Sequence, residues 1–242
     1  MKKFISVAIA ATLTLILASC ANDGEDSVAR AAAIAVSNRE NETEPVMAGT
    51  TGSAFFVAEQ ILKSSGEVSF KITGSITYEG FEKLRDAMIA PPSAIVSLDF
   101  TEVTSFPAGR IPSYAFYSVT PRRTGCSNLV KVLLPDNITA IGDFAFAGTG
   151  LTTVEIPDSV QYFSGAFNNC LSLISVTIGK GVTTLADGGS SYGSFEGCSK
   201  LTDVNYTGTC AQWRRLSFKK GEYFQKYVPA ATIHCSDGDT RF

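Results

Sequence analysis

Along residues 129–206 the apolar positions return in one frame. Leu129, Val132, Leu134, Ile138, Ile141 and Phe146 set it, and Leu151, Val154, Ile156, Val160, Phe163, Phe167 and Cys170 repeat it 22 residues later. A third pass runs Leu173, Val176, Ile178, Val182, Leu185, Phe195 and Cys198. A fourth opens with Leu201, Val204 and Tyr206 and then leaves the frame. An earlier coil, Ile95, Leu98, Phe100, Val103, Phe106, Phe116 and Cys126, precedes them, so the starts lie 34, 22, 22 and 28 residues apart. The L-x-x-V-x-I segment of each pass ends with apolar residues two apart, as one face of a strand requires. One such unit cannot bury its apolar side alone, whereas three or more stacked units share a continuous core. The expectation is an α/β protein in which each coil adds a parallel strand, about 4.8 Å from the last.

Ahead of the coils the pattern predicts a helix, a strand and a second helix. Ser53 is placed to cap "AFFVAEQILK", with Phe55, Phe56, Ile61 and Leu62 read as its apolar face. Val68, Phe70 and Ile72 alternate as in a half-buried strand. Thr77 caps a segment in which Phe81, Leu84 and Met88 recur at helical spacing, and Pro91-Pro92 stops it. Residues 21–52 show no sustained apolar period and read as a tether with a reach of roughly 30 Å.

"LPDNITAIGDFAFAGTGLTTVEIPDSV" and "FEGCSKLTDVNYTGTCAQW…ATIHCSDGD" resemble the BspA-like leucine-rich-repeat family of bacterial surface proteins. The resemblance runs from about residue 94 to 239, and more loosely back to 53. It implies a short right-handed leucine-rich-repeat solenoid over 94–206 with an N-terminal α/β cap over 53–93. A C-terminal cap over 207–242 would use Tyr206, Trp213 and Phe224. The function it implies is binding of macromolecules at the cell surface, of the adhesin or surface-antigen type, with host matrix or plasma proteins among the partners. No cofactor and no metal are implied. The alternatives are an envelope structural or glycan-binding protein and, more remotely, a hydrolase.

The N-terminus fits export. Met1-Lys2-Lys3 is basic, Phe4 to Leu17 carries no charge, and Leu17-Ala18-Ser19-Cys20 resembles the lipobox of bacterial lipoproteins. That makes 1–19 a signal peptide, Cys20 the lipidated first mature residue, and 20–52 the tether. The uncharged run is shorter than the ~20 residues of a membrane span. Ala21, rather than Asp, after the cysteine resembles the signal for outer-membrane sorting.

Composition narrows the chemistry. The formal charge of −3 becomes −5 once Lys2 and Lys3 are removed. Without a basic patch the chain is not suited to nucleic acid. Sixteen Phe stand against one His, so a hydrolytic triad must use His234; its neighbour Cys235 points to the other side of a strand. Cys126, Cys170 and Cys198 share one corner, with Thr149 in the gap, and read as packed thiols, since the paired spacing of a zinc site is missing. Whether Cys170 and Cys198, or Cys210 and Cys235, form disulfides stays open. Asp136 and Asp158 follow Pro in equivalent turns and read as turn residues. "IGKGVTT" lacks the phosphate-loop frame, and "SDGD" lacks the rest of a calcium loop.

The residues between the inward positions point outward in two rows. One is Asp99, Leu133, Glu155, Thr177 and Asn205; the other is Ser97, Lys131, Thr153, Ser175 and Asp203. This face, rich in hydroxyls and of mixed charge, is the candidate binding surface. The two insertions supply Arg110, Tyr114, Tyr117, Arg122 and Arg123, and Tyr192, residue types enriched at binding hot spots.

Overall fold

The computed structural model describes residues 50–90, 93–119, 123–185, 193–216 and 231–240. It is a mixed α/β structure of mostly parallel strands. In chain order these are β1 (Thr50–Gly52), β2 (Ser65–Ser75), β3 (Ser93–Ser105), β4 (Arg110–Ile111), β5 (Tyr117–Ser118), β6 (Thr124–Gly125) and β7 (Leu129–Leu133). Then come β8 (Ala140–Ile141), β9 (Thr153–Ile156), β10 (Tyr162–Phe163), β11 (Ser175–Ile178), β12 (Asp203–Tyr206), β13 (Thr232–Cys235) and β14 (Gly238–Thr240). The α-helices are α1 (Ala54–Lys63), α2 (Tyr78–Ile89) and α3 (Cys210–Trp213).

Strands at matched offsets pair in parallel. Val154, Val176, Val204 and Ile233 face one another across β9, β11, β12 and β13, and Ile156, Ile178 and Tyr206 form the next rung. All are buried. A second parallel block runs β1-β2-β3-β7. The two blocks are separate sheets that meet at a seam between β7 and β9. A second ladder of two-residue strands stacks Ile111, Ile141 and Phe163 and ends in the Tyr162–Thr184 bridge.

The apolar frame needs two corrections. Ile95 is 43% exposed, while Ala94 and Val96 are buried and Val96 pairs with Leu129. A register shift after Val96 moves the inward position by one residue. In α1 the buried residues are Ala54, Val57, Ala58 and Ile61, whereas Phe55, Phe56 and Leu62 are exposed. The cause is close helix packing. Gly80 of α2 brings its backbone so near that an added Cβ would lie 3.1 Å from the Ala54 Cβ, so small side chains take the contact. The caps fall as expected, with the Ser53 and Thr77 side chains accepting from the Phe56 and Gly80 amides. Phe81, Leu84 and Met88 are buried.

The A-F corners build an aromatic spine. Phe116, Phe146, Phe167 and Phe195 stack with centroids 5.2, 5.4 and 5.6 Å apart. Phe81 and Phe100 continue the spine towards α2. Each such pair contributes about 0.5–1.5 kcal/mol beyond its buried area. Beside it, the Thr149 hydroxyl donates to the Phe146 carbonyl at 2.8 Å, the Cys170 thiol to the same carbonyl at 3.1 Å, and the Cys198 thiol to the Phe167 carbonyl at 3.1 Å. The small polar corner residue therefore adds a second donor to carbonyls that already accept from the Thr149 and Cys170 amides at 3.3 Å.

The turns are pegged from coil to coil. Asp158 Oδ1 accepts from the Lys180 amide at 2.9 Å and the Thr207 hydroxyl at 2.8 Å. The Thr207 hydroxyl lowers the pKa of this carboxyl, and burial opposes it less strongly. Gly179 replaces Pro157 at that level because a Cβ there would meet the Pro157 carbonyl oxygen at 2.5 Å. Asp158 is thus structural. No helix among the described residues is long and apolar enough to cross a membrane.

Candidate functional site

Strand pairing aligns the outward rows. Ser97 faces Lys131 and Asp99 faces Leu133 in the first block. Thr153, Ser175 and Asp203 align in the second, as do Glu155, Thr177 and Asn205. The rows continue one strand further than the repeat frame indicated, to Thr232 and His234 on β13. Only the offset of "TIHC" from the last apolar rung signals this, and the long connection between β12 and β13 hides it.

The two blocks differ in electrostatics. Asp99 lies between the Thr101 hydroxyl at 2.6 Å, the Thr101 amide at 2.8 Å and Lys71 Nζ at 3.5 Å. Burial pushes its carboxyl upward, but these contacts together outweigh it and hold the pKa below the usual carboxylate value. Lys131, Thr153 and Glu155 are exposed, and Leu133 is 41% exposed. Along the seam between β7 and β9 opens a cavity of about 630 Å³. Leu133, Leu134 and Thr101 line it with the carboxylates of Asp136, Glu155 and Asp158. This cleft was not foreseen from the repeat pattern, which implies unbroken pairing.

At the far end His234 bridges two acids, with Nδ1 2.9 Å from Asp239 and Nε2 3.4 Å from Asp203. Asp239, then Asp203, raise its pKa, with burial opposing. Both ring nitrogens face carboxylates, which suits a cross-linking imidazolium and leaves no nitrogen to activate a nucleophile. Behind it, Cys210, Cys235 and Asp237 offer donor atoms within 4.8 Å of one another. Asp237 already accepts from the Cys210 amide at 2.7 Å, and burial pushes the Cys235 thiol up to about 12. The fold thus adds Asp237 to the pair Cys210 and Cys235, whose thiols, like those of Cys170 and Cys198, are free.

The insertion residues divide. Arg110 lies on the short-strand ladder and donates to the Tyr162 hydroxyl at 3.3 Å. Tyr114 and Tyr117 cluster with Phe144 some distance along the chain, at the corner carrying β5 and β6. Arg123 joins them around a recess. Arg122, Tyr192 and Cys20 lie outside the described residues, as does Phe224.

Residues 97–225 match the model of the BspA type leucine-rich-repeat region in six copies. The chain belongs to that family. Leucine-rich-repeat proteins are generally non-enzymatic, protein-binding scaffolds. Among solved structures, a leucine rich cell surface protein of Faecalibacterium prausnitzii is 22% identical with a TM-score of 0.45. The similarity covers 63% of this chain and 35% of that one. A leucine-rich repeat protein of Bacteroides ovatus is 22% identical with a TM-score of 0.39, over 57% of this chain and 31% of that one. The leucine rich repeat protein of T. pallidum is 22% identical with a TM-score of 0.33, over 63% and 85%. The chain thus spans about a third of the length of the first two relatives. No curated protein matches the chain.

Proposed function

We propose that this BspA-type chain is a lipid-anchored surface protein that binds other proteins through its outward strand rows. In this reading it is a short right-handed solenoid, closed by an N-terminal α/β cap over 53–93 and a C-terminal cap over 207–242. Cys20 carries the lipid, and the residues from 20 up to 49 tether the repeats above the outer membrane or cell surface; the boundary expected at 52 moves back because Thr50–Gly52 pair with β2 as a strand of the fold. The observation that carries the binding reading is the seam cleft, where exposed Leu133 sits beside Asp136, Glu155 and Asp158. Apolar surface flanked by carboxylates is complementary to a polypeptide segment bearing Lys or Arg beside an apolar side chain. Host matrix or plasma proteins at the cell surface supply such segments, and the reading is of an adhesin or surface antigen.

The test is capture of immobilised matrix and plasma proteins by the purified chain, against purified cell wall as comparator. The Glu155→Lys and Leu133→Asp variants should each lose protein capture by at least about tenfold, corresponding to roughly 1.4 kcal/mol. Capture by cell wall alone would favour the envelope structural reading instead. Incorporation of labelled palmitate, abolished by Cys20→Ala, checks the anchor.

A further inference from the structure

The first insertion leaves the repeat frame after Tyr117 and rejoins it at Gly125. Tyr117 follows the spine residue Phe116 as Asn168 follows Phe167, and Gly125 packs directly against Gly148 of the next coil. Tyr117 and Ser118 of β5 pair antiparallel with Gly125 and Thr124 of β6. Beside these strands lies a recess of about 360 Å³ whose lining includes Tyr114, Tyr117, Phe144, Arg123, Asn168 and Asn169. It is separate from the seam cleft and shares no lining residue with it.

Three features of the recess point to a ligand. Tyr114 and Phe144 hold left-handed backbone, φ 61° and 55°, at the corner position where Gly165 has φ 55°. Bulky aromatic residues are rarely kept there, yet here their rings stack 5.6 Å apart at 4°, with Tyr114 38% exposed. The result is a flat, partly open aromatic platform. Next, Asn168 is only 5% exposed. Its Oδ1 accepts from Asn169 Nδ2 at 2.5 Å, but its own Nδ2 has no hydrogen-bond partner. A buried amide donor left unpaired is costly and is expected to find an acceptor. Finally, among the described residues Arg123 is the one charged residue lining the recess, and no described carboxylate lines it.

We propose that this recess binds an acidic saccharide, a uronic or sialic acid residue within a glycan. The C–H face of a pyranose ring lies flat against the Tyr114–Phe144 platform. The sugar carboxylate pairs with the Arg123 guanidinium, whose planar fork suits it, and a ring hydroxyl accepts from Asn168 Nδ2, closed off from solvent in the free chain, once that amide turns toward the recess. A purely apolar ligand would leave the amide unpaired and desolvate the guanidinium without return. A basic peptide would meet a like charge and, among the described lining residues, no acid. The volume falls at the lower end of the range for small-ligand sites, about 300–1,000 Å³, which suits one or two sugar rings.

The site stands apart from the strand-face reading, and its test uses different residues. The full chain is titrated with sialyllactose, a galacturonate trimer, neutral lactose and a tetraglutamate peptide, followed by calorimetry and saturation-transfer NMR. Saturable binding of at least one acidic sugar is expected, tighter than lactose by about tenfold. Arg123→Gln should erase that preference. Tyr114→Gly, which keeps the left-handed backbone accessible, should weaken binding of the acidic sugar at least about tenfold while the far-UV circular dichroism stays native. The proposal is overturned if the folded wild-type chain binds neither acidic sugar, if both variants bind as the wild type does, or if the peptide binds more tightly than either sugar.

Discussion

Single side chains in this protein are governed by their offset in the coil. Phe146 is fully buried between Phe116 and Phe167, so Phe146→Ala should cost about 3–5 kcal/mol. Glu155 is exposed on a paired strand, and Glu155→Ala should stay within about 0.5 kcal/mol; urea unfolding of the two variants measures both. A subtler expectation concerns Tyr114, whose φ of 61° penalises any residue with a Cβ by roughly 1–2 kcal/mol. Tyr114→Ala removes the ring and keeps the penalty, whereas Tyr114→Gly removes both. The Gly variant should therefore be the more stable of the two by about 1 kcal/mol, the reverse of the order in a helix or strand. The A-F corner was legible in the sequence because Phe116, Phe146 and Phe167 each follow Ala. The left-handed position before that Ala was not, because Tyr114 and Phe144 occupy it as well as Gly165, and only the glycine advertises the conformation.

At the level of elements, sequence reading worked where burial is one-sided and faltered where contacts involve small residues. The alternation in β2, β9, β11 and β12 appears as buried and outward rows. In α1 Phe55, Phe56 and Leu62 are outside while Ala54 and Ala58 are buried with Val57 and Ile61, because hydrophobic size is a poor guide where two helices approach closely. Pairing was read as continuous, yet the sheets part between β7 and β9. Both strands keep their apolar period there, so nothing in the pattern marks the seam. The closing strands give a pH test. His234 holds β12 and β14 together through Asp203 and Asp239, and its pKa is raised in the folded state. Its contribution is therefore fully present below the ordinary histidine pKa and is lost as pH rises through the elevated folded value. Amide exchange in β13 and β14 should be better protected in the wild type than in His234→Gln at pH 5.5, with the gap closing above that folded pKa. An unchanged gap at alkaline pH would rule out the imidazolium cross-link.

For the molecule as a whole, one rule accounts for the core, the spine and the candidate binding face: residues one period apart lie over one another. Thr153 on Ser175 and Asp158 against Lys180 express that rule at a spacing of 22 residues, and Val176 pairs with Val204 across a longer coil in the same way. The architecture was legible because the period is written in apolar residues that must be buried. The sites were less legible, since the seam cleft joins residues of two sheets and the recess beside β5 and β6 joins Tyr114, Tyr117 and Arg123 to Phe144, Asn168 and Asn169 of later coils. The most direct measurement compares two deletions by urea unfolding. Removing residues 151–172 takes out one whole period and joins Gly150 to Leu173, so the spine and both rows should close up. That variant should unfold cooperatively, with an m-value reduced in proportion to the lost surface. Removing 151–168 takes out most of the same chain but breaks the offset, and should abolish the cooperative transition. Equal behaviour of the two, whether both folded or both unfolded, would contradict the account.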